Sequence, residues 1–321
     1  MESSRVEVEV EGRRLRLTNL EKVLYPATAE NPDPFNKGQV VDYYARIAPL
    51  MLPHLRSRPV TFVRWPDGVT GHAFFEKNAP SHTPEWVRKV TLAAPGSTMG
   101  RDTIDYVVIE DLPTLVWAAG LAALELHVPQ WQVDADGHPL DPDLLVLDLD
   151  PGEGTTIVEC CALARRLRER LAEDGLEAFP KTSGSKGMQV VAPIEPAPDG
   201  RTSAYAKALA EQLEIQTPDT VVSRMAKRER KGKIFIDWSQ NNAAKTTITA
   251  YSLRARVRPT VSTPVSWDEV EACRSPADLA FTASQVLERM DTRGDLLAPV
   301  VAPTGNRGKQ AKRGRIPEPV T

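Results

Sequence analysis

Two aspartates at the end of an apolar run are the residues whose type and spacing most directly suggest chemistry. The stretch LLVLDLDPGEG, residues 144–154, places Asp148 and Asp150 one residue apart in a strand-like segment. Side chains alternate faces along a strand, so both carboxylates point the same way, roughly 6–7 Å apart. Two like charges this close resist burial, and a divalent cation such as Mg²⁺ or Mn²⁺ would hold them together.

The alternative is a pair of solvent-facing acids on a half-exposed strand. Leucines occupy the face opposite the aspartates, and the aspartates' own face is also apolar, at Leu144 and Val146. Apolar residues on both faces indicate a central strand, where two buried charges require a compensating partner. The pattern therefore favours the metal site.

A third carboxylate closes a second apolar segment. In GKIFIDWSQN the acid is Asp237, which on its own could equally be a turn residue that ends a strand. Three aspartates on adjacent strands would form the floor of a two-metal site for phosphoryl or nucleotidyl transfer.

The segment KTSGSKGMQVV, residues 181–191, has the composition of a phosphate-binding turn. Its two glycines allow close approach of the backbone, while Ser183, Ser185 and Lys186 offer donors and a positive charge. The spacing is not that of a Walker A loop, and a plain hairpin turn is at least as common.

Two basic segments are candidates for contacts with nucleic acid or polyphosphate. SRMAKRERKGK, residues 223–233, has six basic residues in eleven and leads into the Asp237 strand. In YSLRARVRP, period two would make Arg254, Arg256 and Arg258 project together from an extended chain. The alternative for such charge runs is an ordinary solvated face.

Composition limits the class of protein. The 321 residues are 41% hydrophobic, which permits a substantial core, and the net charge of −3 argues against a protein that coats nucleic acid over its whole surface. There is no apolar run of 18 residues, and the N-terminus has no apolar signal-peptide core. Three cysteines fit neither a metal spacing nor a disulfide framework, so we expect a cytoplasmic protein without membrane contact.

Helices and strands must position these groups, and their predicted order is mixed. Residues 6–19 predict a hairpin with its turn at Glu11-Gly12, and TLVWAAGLAALELHV, residues 114–128, predicts one buried helix of about four turns. Strands and helices do not alternate strictly, which indicates an α+β architecture and not a doubly wound fold. We predict one domain over residues 1–300 and a basic, disordered tail over residues 301–321.

Taken together, the motifs resemble a known family. LTNLEKVLYP, FFEKNAP, LELHVPQW, LVLDLDPGEG, KTSGSKGMQVV, IDWSQNNAAKTTITAYSLRAR and TPVSWDEV are similar to motifs of the polymerase domain of bacterial ligase D. That domain belongs to the archaeo-eukaryotic primase superfamily, and the resemblance runs from about residue 15 to 300. It implies a primase-type α+β catalytic core, in which a central, antiparallel-rich sheet is flanked by helices.

The resemblance also implies roles for individual residues. Asp148, Asp150 and Asp237 would bind the catalytic metal, Mn²⁺ or Mg²⁺. Residues at the nucleotide would be His127, Ser183, Ser185, Lys186, Gln189, Ser252 and Arg254. Residues at the DNA would be Lys22 and Lys37 on a 5′-phosphate, Phe74 and Phe75 against bases, and Arg230 near the template.

These implied contacts have ordinary alternatives. His127 could be a core histidine at the end of an apolar helix, the phenylalanines could be core, and the lysines could be surface residues. Only one of two neighbouring phenylalanines on a strand can face DNA. The segment APGSTMGR, residues 94–101, is a candidate for a loop that pairs two DNA ends.

The sequence departs from the family at Gln189, where the family usually has a histidine that contacts the triphosphate. Glutamine can donate hydrogen bonds but never carries a charge, so we expect weaker or redirected nucleotide binding with the metal chemistry kept. Ligase and nuclease motifs are also missing, which indicates a stand-alone polymerase or an excised domain.

The resemblance implies template-directed addition of nucleotides, with ribonucleotides preferred over deoxynucleotides, to a DNA 3′-hydroxyl. It places the reaction in gap filling or end extension during non-homologous end joining, in the bacterial cytoplasm at the nucleoid. The partners would be gapped or broken duplex DNA with a 5′-phosphate, NTPs or dNTPs, a separate DNA ligase and an end-binding protein.

Two rival functions remain. A haloacid-dehalogenase-type phosphatase also has a D-x-D motif after an apolar strand, but Gly152 stands where that class usually has Thr or Val. A catalytically weak adaptor that binds DNA ends would keep the fold without the chemistry, which the three intact aspartates argue against.

Overall fold

A computed structural model describes residues 4–94, 100–301 and 311–317. The strands of these ranges are β1 Arg5–Val10, β2 Arg13–Thr18, β3 Val23–Tyr25, β4 Phe35–Asn36, β5 Pro59–Arg64, β6 Phe74–Glu76, β7 Lys89–Ala93, β8 Thr103–Val108, β9 Ala123–Val128, β10 Leu144–Pro151, β11 Phe179–Thr182, β12 Met188–Pro193, β13 Val221–Val222, β14 Ile234–Asp237 and β15 Thr247–Ile248. The α-helices are α1 Lys37–Leu55, α2 Leu112–Gly120, α3 Ile157–Glu173, α4 Asp199–Gln216, α5 Trp267–Ala272, α6 Ala283–Arg293 and α7 Ala298–Val301. No helix of the described part has the length and apolar character needed to cross a lipid bilayer.

The strand that carries the first two aspartates is the middle strand of a five-stranded sheet. The order is β11-β12-β10-β14-β13, and every neighbour pair except β13 with β14 is antiparallel. Antiparallel pairing on both sides of β10 rules out a doubly wound sheet, as the sequence predicted. The predicted central position of the strand is confirmed.

A second, six-stranded sheet lies beside the first. Its main order is β15-β9-β5-β8-β7, with β6 paired to β5 outside that path. Two short ribbons, β1-β2 and β3-β4, complete the strand pairing, and the turn of the first ribbon is at Glu11 and Gly12, both with positive φ, as predicted.

The two faces of β10 pack into different cores. Leu145, Leu147 and Leu149 lie in a cluster with α3 residues such as Leu167. Leu144 and Val146 lie in the other cluster, with residues of β5, β9 and α1. Because Asp148 and Asp150 share the face of Leu144 and Val146, the acids lie on the side that faces the six-stranded sheet.

The predicted four-turn helix over residues 114–128 is wrong. The helix α2 ends at Gly120, the next residues turn, and Ala123–Val128 forms strand β9. The turn depends on Ala122, whose φ of 58° is left-handed and therefore unusual for a residue with a side chain. His127 consequently lies on a strand and does not close a helix.

The predicted disordered tail is also wrong for the part that the structure describes, residues 311–317. Ile316 is buried in the core cluster that contains α3, and Gly314 forms a bridge with Ile194. Arg313 donates hydrogen bonds to the carbonyls of Asp143 and Ile194. The order of this segment could not be predicted, because the carbonyl groups that Arg313 binds are far away in the sequence.

Candidate active site

The three predicted aspartates meet at one end of the five-stranded sheet. Asp148 of β10 is directly opposite Asp237 of β14, and Asp150 is opposite Phe235. The Asp237 carboxylate accepts hydrogen bonds from the Ser239 hydroxyl at 2.6 Å and from the Gln240 amide at 2.8 Å. Strand pairing thus brings together acids that are about ninety positions apart in the sequence.

Burial and mutual repulsion together dominate the electrostatics of this group. Removal from water raises the pKa of Asp148, and the charges of Asp150 and Asp237 raise it further. The pKa of Asp150 is raised by burial and by Asp237, against the opposing effect of Arg230 and Arg254. A cation between the carboxylates would relieve this repulsion.

The donor set fits a divalent metal ion. Hard carboxylate oxygens that repel one another are the ligands that Mn²⁺ and Mg²⁺ prefer. Within the described residues, only Asp134, Asp136 and His138 bring three ligand atoms within 4.8 Å of one another, on a surface turn. The three aspartates do not converge that closely, and the Asp237 carboxylate is turned towards Ser239 and Gln240.

Two glycines let the backbone close tightly around the aspartates. A Cβ atom on Gly187 would lie 2.1 Å from the Leu149 carbonyl oxygen, and one on Gly152 would lie 1.8 Å from the Arg230 carbonyl oxygen. No side chain fits at such distances, so the sequence needs glycine at both positions. The serine-rich turn and the basic run are thereby held against β10.

The predicted phosphate-binding turn connects β11 and β12. The Ser183 hydroxyl accepts hydrogen bonds from the amides of Ser185 and Gly187, both at 3.2 Å, so this serine folds the turn. Ser185 and Lys186 are exposed at its tip. Gly184 approaches Arg254, with a built Cβ atom 2.7 Å from the arginine Cγ, which places the turn next to a predicted phosphate-binding side chain.

A buried carboxylate that the sequence analysis missed joins two predicted nucleotide residues. Glu125 Oε2 lies 3.0 Å from His127 Nε2 and 3.2 Å from Arg254 Nη1. The period of a strand puts Glu125 and His127 on one face of β9, and the helix predicted there hid this relation. Phe75 packs edge-on against His127, with ring centroids 6.4 Å apart.

Four polar residues form one row across four strands of the sheet. Lys181 of β11 is opposite Gln189 of β12, which is opposite Asp148, which is opposite Asp237. Lys181 is buried and donates to the Ile248 carbonyl and the Ser262 hydroxyl. Burial lowers the pKa of Lys181 and Asp148 raises it, with a net lowering.

Two residues predicted at the nucleotide lie inside the protein. Gln189 is 2% exposed, and a hydrogen bond from its side chain lowers the pKa of Asp148, so its contact with the triphosphate stays a prediction. Ser252 is fully buried, and its hydroxyl accepts from the Leu126 amide and donates to the Leu253 carbonyl. Both positions serve the packing around the site.

The basic side chains of the two segments differ in direction and in partners, contrary to the prediction. Arg230 lies over the Phe235 ring at 3.7 Å, next to Asp150, while Arg224 is paired with Glu214 at 2.8 Å. Residues 254–258 form no strand: Arg254 turns inward, and the exposed side chains of Arg256 and Arg258 do not share its direction. The prediction of three arginines projecting together is wrong.

Of the predicted DNA-binding residues, Lys22 and Arg230 are half-buried, whereas Lys37 is buried and its ammonium donates to the Thr18 carbonyl at 2.7 Å. Lys22 is next to Lys37 because the Lys22 carbonyl accepts from the Lys37 amide, and Lys22 is also paired with Asp67 at 2.8 Å. Lys37 is 7% exposed, and burial, Lys22 and Arg64 lower its pKa.

Both phenylalanines are exposed, Phe74 by 54% and Phe75 by 60%, because β6 is a short strand at the border of the sheet. The expectation that only one of them can face DNA stays a prediction. The predicted loop over residues 94–101 joins β7 to β8, but residues 95–99 lie outside the described part of the chain.

Comparisons with known proteins identify the family of this chain. The family model "LigD, primase-polymerase domain" matches residues 36–297. A multifunctional non-homologous end joining protein LigD of Mycolicibacterium smegmatis is 45% identical over 290 residues, which cover 90% of this chain and 36% of that protein. A bifunctional LigD of Bacillus subtilis is 29% identical over 283 residues, 88% of this chain and 43% of that protein.

The solved polymerase domain of Mycobacterium tuberculosis ligase D, in complex with DNA, superimposes with a TM-score of 0.82 at 42% identity and covers 90% of this chain and 98% of that one. The chain spans less than half the length of these curated relatives. The predicted primase-type α+β fold is thus confirmed, and the chain belongs to the LigD primase-polymerase domain family.

Proposed function

We propose that this chain is a template-directed polymerase that adds nucleotides to the 3′-hydroxyl of broken or gapped DNA during non-homologous end joining. The observation that carries the proposal is the meeting of Asp148, Asp150 and Asp237 on the sheet face turned towards the Arg254 side chain. Acids that repel one another, beside cations that suit phosphates, are the arrangement that nucleotidyl transfer needs.

In the proposed reaction, the primer 3′-oxygen attacks the α-phosphorus of the incoming nucleotide and the bond to pyrophosphate breaks. Mn²⁺ or Mg²⁺ held by the three aspartates would activate the attacking oxygen and stabilise the leaving group. Arg254, Lys186 and Ser185 would bind and orient the triphosphate. Ribonucleotides would be preferred over deoxynucleotides, a choice that rests on the family resemblance alone.

Contacts with DNA are proposed on the surface beside His127. Phe74 and Phe75 are exposed aromatic rings, and such rings stack on unpaired or splayed bases of any sequence. Arg230 would contact the template strand next to Asp150. The solved polymerase domain of M. tuberculosis ligase D is in complex with DNA, which supports DNA binding in general.

A downstream 5′-phosphate would bind at Lys22 and Lys37. The two lysines are neighbours through the β3-β4 pairing, and the first turn of α1 begins at Lys37. Two cations next to amides at a helix N-terminus suit a phosphate. A separate DNA ligase and an end-binding protein are the proposed partners.

The test is primer extension on a short gapped duplex with either a downstream 5′-phosphate or a 5′-hydroxyl. NTPs and dNTPs are compared in Mn²⁺ and in Mg²⁺, and the Asp148→Ala/Asp150→Ala variant is the control. We expect extension by the wild type, no extension by the double variant, and a higher rate with the phosphate. Lys22→Ala should remove the advantage of the phosphate, whereas Lys207→Ala, a surface lysine of α4, should not.

The same experiment distinguishes a polymerase from an adaptor that only binds DNA ends. If the wild type extends no primer but binds the gapped duplex in chelator, the chain is an end-binding adaptor and the polymerase proposal is wrong. Extension that persists in the double variant would place the chemistry at other residues.

A further inference from the structure

We infer that Glu125 is a positioning residue for the incoming nucleotide, because its carboxylate holds both Arg254 and His127 in place. The inference rests on the proposed polymerase function and adds to it a residue outside the predicted site. It concerns the binding of the nucleoside triphosphate, not the binding of DNA.

The geometry ties three parts of the chain to one carboxylate. Oε2 contacts His127 Nε2 at 3.0 Å and Arg254 Nη1 at 3.2 Å, while Oε1 accepts from the Ala255 amide at 3.0 Å. Glu125 lies in the middle of β9, paired with Val63 of β5. The carboxylate therefore links a rigid strand to the irregular segment that carries Arg254.

The contacts fix how each partner can present itself to a ligand. Arg254 gives one end of its guanidinium to Glu125, and its Nε is buried without a hydrogen-bond partner in the described part of the chain. A buried donor is costly to leave unpaired, so Nε is free to bind a ligand acceptor. A phosphate oxygen would satisfy it.

His127 is fixed in its tautomer by the same carboxylate. An ionised carboxylate only accepts hydrogen bonds, so Nε2 must carry the proton that it donates to Glu125. Burial would raise the pKa of Glu125, but the hydrogen bond from His127, the charge of Arg254 and the Ala255 amide together lower it, which keeps the carboxylate ionised. Nδ1 is the nitrogen left to meet the nucleotide.

Breaking an ion pair that only stabilises the fold should have a different effect from breaking the Glu125 contacts. Arg58 and Asp143, 2.7 Å apart and both buried, provide that comparison. Asp143 precedes β10 and is five positions before Asp148, roughly 16 Å along an extended strand. Breaking this pair should cost stability without changing nucleotide binding.

The experiment compares Glu125→Ala, Glu125→Gln and Asp143→Asn with the wild type. Primer extension on the gapped duplex gives the KM for NTP and, separately, the KM for DNA. We expect both Glu125 variants to raise the KM for NTP about tenfold, the scale of one lost charged hydrogen bond, with the KM for DNA unchanged. Asp143→Asn should lower the melting temperature and leave the KM for NTP unchanged.

The second readout needs no catalysis. The chain has five histidines, so ¹⁵N-labelled imidazole signals can be assigned one by one. His127 should be a single tautomer protonated at Nε2 in the wild type and lose that single state in Glu125→Ala. This measurement tests the Glu125 contact even if the wild type extends no primer. Such a lack of extension would contradict the polymerase proposal but not the Glu125 contact.

Three results would overturn the inference. They are a KM for NTP within twofold of the wild type in both variants, a KM for NTP that falls because Arg254 is released, and a His127 tautomer that does not change. If Glu125→Ala fails to fold, the nearly isosteric Glu125→Gln decides by the same criteria.

Discussion

At the scale of single residues, the amide of Gln189 lies beside Asp148, one of the proposed metal ligands. It donates to Asp148, and its own Oε1 is buried without a hydrogen-bond partner among the described residues. The role expected at the triphosphate stays a prediction, and the contact with Asp148 suggests a second role at a carboxylate. A histidine at this position would meet the same acid with an imidazole that can carry a charge.

We predict that Gln189→Leu weakens metal-dependent activity. The variant removes the donor to Asp148, so the concentration of Mn²⁺ at half-maximal primer extension should rise about tenfold, with a smaller change in the KM for NTP. A titration of Mn²⁺ measures this. Gln130→Leu is the matched control, because Gln130 is equally buried but donates to Thr247. A larger effect on NTP than on Mn²⁺ would return Gln189 to the triphosphate.

The sequence indicated the residues whose spacing alone implies chemistry. The D-x-D pattern in an apolar strand predicted Asp148 and Asp150, because period two fixes their common face before any tertiary contact forms. The burial of Ser252 and Gln189 could not be predicted, because it depends on partners far along the chain, such as Leu126 and Asp148. Glu125 was missed because its relation to His127 exists only on a strand.

At the scale of elements, close backbone contacts hold the loops of the site against β10. The turn after β11 can approach the Leu149 carbonyl only because residue 187 has no side chain, and Gly152 allows the same for the segment at Arg230. The loops are therefore fixed by the strand that carries the acids.

Gly187→Ala should damage both activity and stability. Its Cβ would overlap the Leu149 carbonyl oxygen, so the turn with Ser185 and Lys186 must move away from β10. We expect at least a tenfold loss of primer extension and a fall of about 1–3 kcal/mol in the free energy of unfolding. Urea denaturation and extension rates measure the two effects.

The matched variant is Gly200→Ala on α4, where a Cβ atom meets nothing within 4 Å and φ is not positive. This change should leave both quantities near the wild-type values. If Gly187→Ala also left both quantities unchanged, the close approach of the turn to β10 would not be needed for activity or stability.

Elements with strong local signals could be predicted, and elements defined by one unusual backbone angle could not. The hairpin turn at Glu11-Gly12 and strand β10 were expected from their residues. The break between α2 and β9 was not, because the good helix formers Leu121 and Ala122 follow Gly120 and mask it as the end of the helix. Tertiary packing overrides propensity there.

At the scale of the whole molecule, a buried polar cluster fastens distant segments. The Asp295 carboxylate lies 2.9 Å from His54 at the end of α1 and accepts from the Tyr251 hydroxyl at 2.7 Å. Burial would raise the pKa of Asp295, but the hydrogen bond and charge of His54 and the hydroxyl of Tyr251 outweigh it and lower the pKa.

A lowered pKa makes part of the stability depend on pH. Asp295 stabilises the fold above its unfolded pKa of about 3.9, and this contribution disappears as the pH falls through the lower folded value. We expect Asp295→Asn to cost about 1 kcal/mol at pH 7, with the gap to the wild type closing between roughly pH 5 and pH 3. Urea denaturation across this range measures the gap.

The comparison variant is Asp42→Asn, whose exposed carboxylate is 3.7 Å from Arg46. It should change the free energy of unfolding little at any pH. A gap for Asp295→Asn that stays constant from pH 7 to pH 3 would contradict the pH dependence.

The two apolar faces of β10 have a consequence for how faithfully the chain folds. Because leucine or valine fills both faces, a slip of this strand by one residue would still bury hydrophobic side chains on each side. The slip would, however, place Asp148 and Asp150 in the hydrophobic core that contains α3, where burying a carboxylate costs free energy. The acids that would perform the reaction thus also reject the wrong alignment, and a chain stripped of them should lose fidelity in refolding as well as activity.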